Sequence, residues 1–395
     1  MRAISLHAFE LVIAGGRTFL QIGRGTCNRS LVLLTFWSGI MADSESDFQT
    51  VRLFNYKGCK MSGIHTIQRL DQMENYEVRD SDVFVVTYPK SGTIWMQTIL
   101  MYIFMDDDLQ TGETKASFFK APWLELSIKE INTDDRPPPR LFVTHLPYQL
   151  IPKALKNKKA KGSSAADHIK EQTSATDWNK LQTVIQADNN FNFCNYHSNE
   201  GEKSILAWIS QGANEGREKN TGVIYVYRNP KDVAVSYYHF HKFANYLETP
   251  ENFGAFLQAF LEGQVDYDSW FNHVKNWYNH REEFNIIFQS YEEMIEDLKM
   301  AVLKFCKFLG KPVDDKSVDA IVEHSTFKNM KLNPKTNYET AGFPLFNPSL
   351  PGFMRRGIIG DWKNYFTVAQ NDMFNNIFQE KMNAIPLKFI FENVE

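Results

Sequence analysis

The stretch DVFVVTYPKSGTIW, residues 82–95, runs an apolar, β-rich segment into a Pro-Lys-Ser-Gly turn and then into a segment that reads as a helix. The first amides of a helix lack intrahelical partners and carry the positive end of its dipole, so a turn placed there can hold a phosphate or sulfate. Gly92 lets the backbone approach closely, Ser91 and Thr93 add hydroxyl donors, and Lys90 adds a full charge. Gly92 is the only glycine of the turn, so GxxxxGK[ST] is absent and a triphosphate–magnesium site is disfavoured. A generic capped turn with a surface lysine is the competing reading of this stretch alone.

Working outward, short β-rich runs alternate with longer helical ones from about residue 50, the trace of a parallel sheet covered by helices. Strands are expected at 82–88, 140–146, 222–228 and 284–290, each apolar without strict alternation, as in strands buried on both faces. Helices are expected at 93–105, around 230–246, and at 253–262, 267–282, 291–310 and 370–383. Residues 162–222, rich in Ser, Asn, Gln, Ala and Gly, break this rhythm and are expected to be an insertion, with 204–210 a candidate short element. Residues 1–40 hold four arginines against one acid and an apolar run at 31–40 about half the ~20 residues that span a bilayer. They resemble a presequence or a signal peptide in parts, but a dispensable extension before a cytosolic start at Met41 is the favoured reading. The expectation is one α/β domain over 41–395, interrupted at 162–222.

With 43 basic and 47 acidic residues in 395, the net charge of −4 gives no whole-molecule attraction to nucleic acid or anionic membrane. Any anion site must be local. The four cysteines form no CxxC or Cys/His cluster, so neither a zinc site nor a disulfide framework is expected, and a cytoplasmic setting fits.

A second strand-turn-helix lies at VIYVYRNPKDVAVSYYHF, 223–240. Asn229 is a suitable N-cap, Pro230 fits the first helical position, and Ser236 shares the cap's helix face. Arg228 and Ser236 could hold a second anion, although an ion-paired arginine and a packed serine would look the same. FMRRGIIGDWKNYFT, 353–367, adds Arg355, Arg356 and Gly357 as a candidate phosphate clamp. His145 ends the strand RLFVTHL, where ligands of open α/β sheets bind, and suits a general base. His239, His241, His273 and His280 fall on helices and read as structural. Phe118, Phe119, Trp123 and Phe240 are compatible with an apolar acceptor pocket or with core.

Taken together, TYPKSGTIW, THLP, YRNPKDVAVSYYHF and FMRRGIIGDWKNYFT resemble the cytosolic sulfotransferase family, in that family's order, with a further likeness to family 6B. The resemblance covers roughly 50–161 and 223 to the C-terminus. It implies a fold akin to P-loop nucleotide kinases and 3′-phosphoadenosine 5′-phosphosulfate (PAPS) as donor. It places Lys90, Ser91, Gly92, Thr93, Ile94 and Trp95 around the 5′-phosphosulfate, and Arg228, Ser236, Arg355, Arg356 and Gly357 around the 3′-phosphate. Tyr291, Ser325, Phe327 and Phe353 match other donor contacts. It implies His145 as base, Lys90 as the group meeting charge on the leaving phosphate, no metal, and a small apolar alcohol, phenol or amine as acceptor. KNYFTVAQND, 363–372, resembles the family's dimer motif, with Asp372 where Glu is usual. Val143 stands where many members have a lysine, which keeps a donor-binding protein with weak catalysis in view. A P-loop kinase is the other alternative, and it would need a further Walker glycine and magnesium.

Overall fold

The computed structural model describes residues 52–104, 116–127, 133, 135–156, 221–338, 346–347, 349–350 and 352–392, and the backbone of two short strands nearer the amino terminus. Those two, β1 (Val12–Ala14) and β2 (Arg17–Phe19), form an antiparallel hairpin within a separate unit, Met1–Asp43. The remaining expectations for 1–40, most of the insertion and its element at 204–210 lie outside the described residues.

In the unit Ser44–Glu395, β3 (Phe54–Tyr56) and β4 (Cys59–Met61) make a second hairpin across a Lys57-Gly58 turn, both residues at positive φ. The centre is a four-stranded parallel sheet of β5 (Val83–Thr87), β6 (Leu141–Thr144), β7 (Gly222–Tyr227) and β8 (Ile286–Ser290), in the order β6-β5-β7-β8. The fold is α/β, as expected. Gly222, shared by the expected strand 222–228 and the end of the expected insertion, opens β7, and Thr221 before it is buried with its hydroxyl on the Arg79 carbonyl at 2.9 Å.

The strands separate their side chains with a period of two. Phe84, Val86, Phe142, Val223 and Tyr225 enter one core layer, whereas Val83, Val85, Leu141, Val143, Ile224 and Val226 enter the other. Both layers are buried, which explains the near-continuous apolar runs. From β5 the chain moves to β6 on one side and returns to β7 on the other, so the crevice at the carboxyl ends beside β5 is the topological switch point. Thr87, His145, Arg228 and Tyr291 all lie at or just beyond those carboxyl ends.

Two expected helices change. The run 291–310 is two helices, Tyr291–Glu296 and Leu298–Phe308, because Asp297 caps the second by accepting the Met300 N–H at 2.9 Å. The run 267–282 contracts to Trp270–Asn279, capped by Ser269, while Tyr267 and Asp268 before it take φ of 64° and 63°. Among the described residues no helix is long and apolar enough to cross a membrane.

The amino ends of the central strands are joined by a fully buried ion pair. Arg140 donates to both Asp82 oxygens at 2.9 and 2.6 Å, and to the Glu77 carbonyl at 2.8 Å. Removing one partner strands the other charge in the core, so Asp82→Ala is expected to lower unfolding free energy by about 3–5 kcal/mol in urea denaturation.

Candidate active site

The turn after β5 is locked by its own backbone. The Ser91 N–H donates to the Tyr88 carbonyl at 3.1 Å, Lys90 takes φ 68°, and Gly92 takes φ 107° as N-cap of the helix Thr93–Ile103. No side chain caps that helix, so its first amides stay available to a ligand. A Cβ on Gly92 would fall 2.9 Å from the Tyr291 ring, so glycine is required by closeness as well as by φ.

Arg228 ties this turn to two other segments. Its Nη1 donates to the Lys90 carbonyl at 3.1 Å, its Nη2 to the Ile358 carbonyl at 3.4 Å, and its guanidinium lies 4.3 Å over the Tyr291 ring. Asn229 caps the helix Pro230–Phe243 as expected, accepting from the Asp232 N–H at 2.9 Å. Asp232 also accepts from the Gly360 and Trp362 N–H groups at 2.8 and 2.9 Å, which brings 353–362 against the cradle. There Arg355 and Arg356 each bond one oxygen of the buried Asp361, at 2.5 and 2.6 Å. Burial alone would raise that carboxyl, but the bonds from Arg355 and Asn364 and the charge of both arginines hold it below its ordinary value.

Lys90 is half-buried, with Nζ 4.2 Å over the Phe240 ring and 5.4 Å over Phe353. Burial, then Arg228 and Arg355, push its pKa down to about 7. Trp95 donates to the Ser325 carbonyl at 2.8 Å and meets Tyr291 edge-on at 5.3 Å, while Phe327 lies where a Gly357 Cβ would intrude at 2.3 Å. Four buried atoms of this group, Ser91 Oγ, Ser325 Oγ, Arg228 Nε and Arg355 Nε, have no hydrogen-bond partner. An unpaired buried donor costs about 1–3 kcal/mol, and an anionic, oxygen-rich ligand offers the acceptors such donors lack. The donor set thus fits a phosphorylated nucleotide.

His145 follows β6 and is 8% exposed. Its backbone N–H donates to Glu125 at 2.9 Å, and Trp123 and Tyr267 flank its ring at centroid distances of 4.6 and 5.0 Å. Nδ1 lies 2.6 Å from the Thr87 carbonyl, which can only accept, so the proton is on Nδ1 and the Nε2 lone pair is left open. Burial drives the imidazole down to about 3 and keeps it neutral, and the charge of Lys90 acts in the same direction. Behind it His273 Nε2 donates to the His145 carbonyl at 3.1 Å and its Nδ1 accepts from the Tyr225 hydroxyl at 2.8 Å, so this histidine is structural, as expected.

The structure therefore gathers Lys90 to Thr93, Trp95, Arg228, Tyr291, Ser325, Phe327, Arg355 and Gly357 into one cradle. Ser236, Phe240, Phe353 and Arg355 line an open cleft with Lys90. Ile94 turns its side chain away to pack beside Phe118 and Tyr338, and Arg356 is half-exposed on Asp361. Val143 is fully buried in the core and supplies no cation. Thr87, Glu125 and Tyr267 went unread in the sequence. Of these, a threonine closing an otherwise apolar strand was the one available signal.

A neutral imidazole beside an anion cradle at the switch point of a parallel sheet defines an α/β group-transfer enzyme. The sulfotransferase domain family matches residues 80–162 and 211–386. The chain is 36% identical over 346 residues to the amine sulfotransferase of Oryctolagus cuniculus, covering 86% of this chain and 94% of that protein. It is 35% identical over 334 residues to sulfotransferase 2B1 of Mus musculus, covering 84% and 81%. Among solved structures, mouse sulfotransferase SULT7A1 complexed with PAP superposes with a TM-score of 0.58 at 27% identity, covering 85% and 95%. The chain belongs to the sulfotransferase family.

Because a non-glycine residue at left-handed φ costs about 1–2 kcal/mol and Tyr291 blocks the Cβ, Gly92→Ala is expected to weaken pyrophosphate binding about tenfold or more. Calorimetry checks this.

Proposed function

We propose that the chain transfers the sulfonate of PAPS to a hydroxyl or amine of a small, largely apolar acceptor, with His145 as general base. The observation that carries this reading is the open Nε2 lone pair of a neutral His145 beside a cradle of unsatisfied buried donors. PAP in the mouse relative is the nucleotide that PAPS leaves behind, which supports PAPS as co-substrate. Lys90 to Trp95 would hold the 5′-phosphosulfate. Arg228, Ser236, Arg355, Arg356 and Gly357 would hold the 3′-phosphate, with Tyr291, Ser325, Phe327 and Phe353 around the nucleoside.

Bound there, PAPS supplies an electrophilic sulfonate on a phosphate leaving group. His145 Nε2 takes the acceptor proton as the acceptor oxygen or nitrogen attacks sulfur. Burial penalises imidazolium in the resting site, but the growing negative charge beside it offsets that penalty, so the interaction is stronger in the transition state. Lys90 meets the negative charge that builds on the leaving phosphate. With Arg228, Arg355 and Arg356 it supplies the positive charge, so no metal is needed. The rings of Trp123 and Tyr267, which flank His145, favour a flat or apolar acceptor.

Val143 favours a second reading, a donor-binding protein of low turnover, since a cation available to many relatives is replaced by core. We also infer a cytosolic protein, because Cys59 and Cys306 are free and buried, and a homodimer through 363–372, where Val368 is 79% exposed.

His145→Ala is expected to lower kcat about 10²–10⁴-fold while leaving PAP affinity within about threefold. Full turnover in that variant, measured with radiolabelled donor against phenols, steroids and amines, would sink the assignment. Lys90 is cationic below its value of about 7 and neutral above it, so PAP affinity is expected to fall as pH rises from 6 to 9. Lys90→Met should flatten that profile.

A further inference from the structure

We propose that Thr87 is a positioning residue that couples proton uptake by His145 to a hydrogen bond given by Thr93 to the leaving phosphate. The proposal rests on the sulfonate-transfer reading of the same site. Thr87 closes β5 and is fully buried, with Oγ1 2.7 Å from Thr93 Oγ1 and 3.0 Å from His145 Nδ1. Thr93 opens the helix at the cradle and is also buried.

Each hydroxyl has one proton to give, so the direction of the chain can be worked out. His145 Nδ1 donates, because its nearest neighbour is the Thr87 carbonyl at 2.6 Å. Thr87 Oγ1 therefore turns a lone pair to that N–H and sends its own proton to Thr93 Oγ1, its other hydrogen-bond partner. Thr93 Oγ1, having accepted, has its proton free for an anionic oxygen in the cradle. A single orientation thus serves a neutral base at one end and an anion at the other. When Nε2 takes the acceptor proton, the positive charge on the ring polarises the chain and strengthens the Thr93 bond as the phosphate gains charge.

Thr87→Val keeps the branched shape that suits a buried strand and removes only the hydroxyl. With PAPS and either 2-naphthol or 2-naphthylamine, kcat is expected to fall about 10- to 30-fold, the kinetic size of one lost hydrogen bond. PAP affinity should stay within about threefold, and Thr87→Ser should restore most of the rate. In a His145→Ala background the same change should cost nothing further, since no imidazolium remains to polarise the chain. Unchanged kcat in Thr87→Val, or an equal loss in both backgrounds, overturns the proposal. Should the valine variant not fold, ¹⁵N NMR of the wild-type PAP complex decides: a neutral His145 protonated on Nδ1 supports the chain of donors, and one protonated on Nε2 overturns it. Full activity in His145→Ala would instead sink the sulfonate-transfer reading, and so separates the two failures.

Discussion

Arg228 is the joint on which the site depends. One guanidinium bonds the carbonyl of Lys90, reaches the carbonyl of Ile358 and covers the Tyr291 ring, so the ends of three chain segments are fixed by one side chain. Its planar fork suits this task in a way a lysine would not, because the donors diverge in fixed directions while the face stays free to stack. The turn 88–92 owes its shape to this grip as much as to Gly92. A turn that holds Lys90 at φ 68° and brings Gly92 against Tyr291 is strained and crowded, and it persists because its surroundings over-determine it.

Asp232 and Asp361 extend the same logic outward. Asp232 binds two backbone amides of the 353–362 segment, and Asp361 holds Arg355 and Arg356. Both carboxylates are buried, so each fixes an arginine-bearing loop at the cost of its own desolvation. The anion cradle is thereby built on rigid elements before any ligand arrives, which is what electrostatic stabilisation of a developing charge requires.

Much of this was legible in the sequence, and the reasons differ by element. The four central strands could be read because both faces are buried, leaving apolar runs that turn signals bound. The cradle could be read because Pro89, Gly92, Asn229 and Pro230 are backbone specialists at strand-to-helix junctions. The helix Asp315–His324 was not read: only Val318 and Ile321 are buried on it, too thin a stripe to reveal a period. Asp297 hid a break because the helical pattern continues on both sides of it. The contact of Thr87 with His145 spans 58 residues, and no local pattern records which strand ends will meet. Tyr267 and Asp268 at positive φ were equally invisible, since that conformation normally announces itself through glycine.

The charge arrangement carries the last step. Lys90 has no carboxylate partner among the described residues, and Arg228 and Arg355 both act on it as like charges. Held on the faces of Phe240 and Phe353, its ammonium gains only the modest attraction of aromatic rings. A half-buried ammonium satisfied in this way is costly in isolation and favourable beside an anionic ligand. Val143 is buried in the core and adds no cation, so among the described residues the positive charge of this cluster rests on Lys90 and the arginines around it.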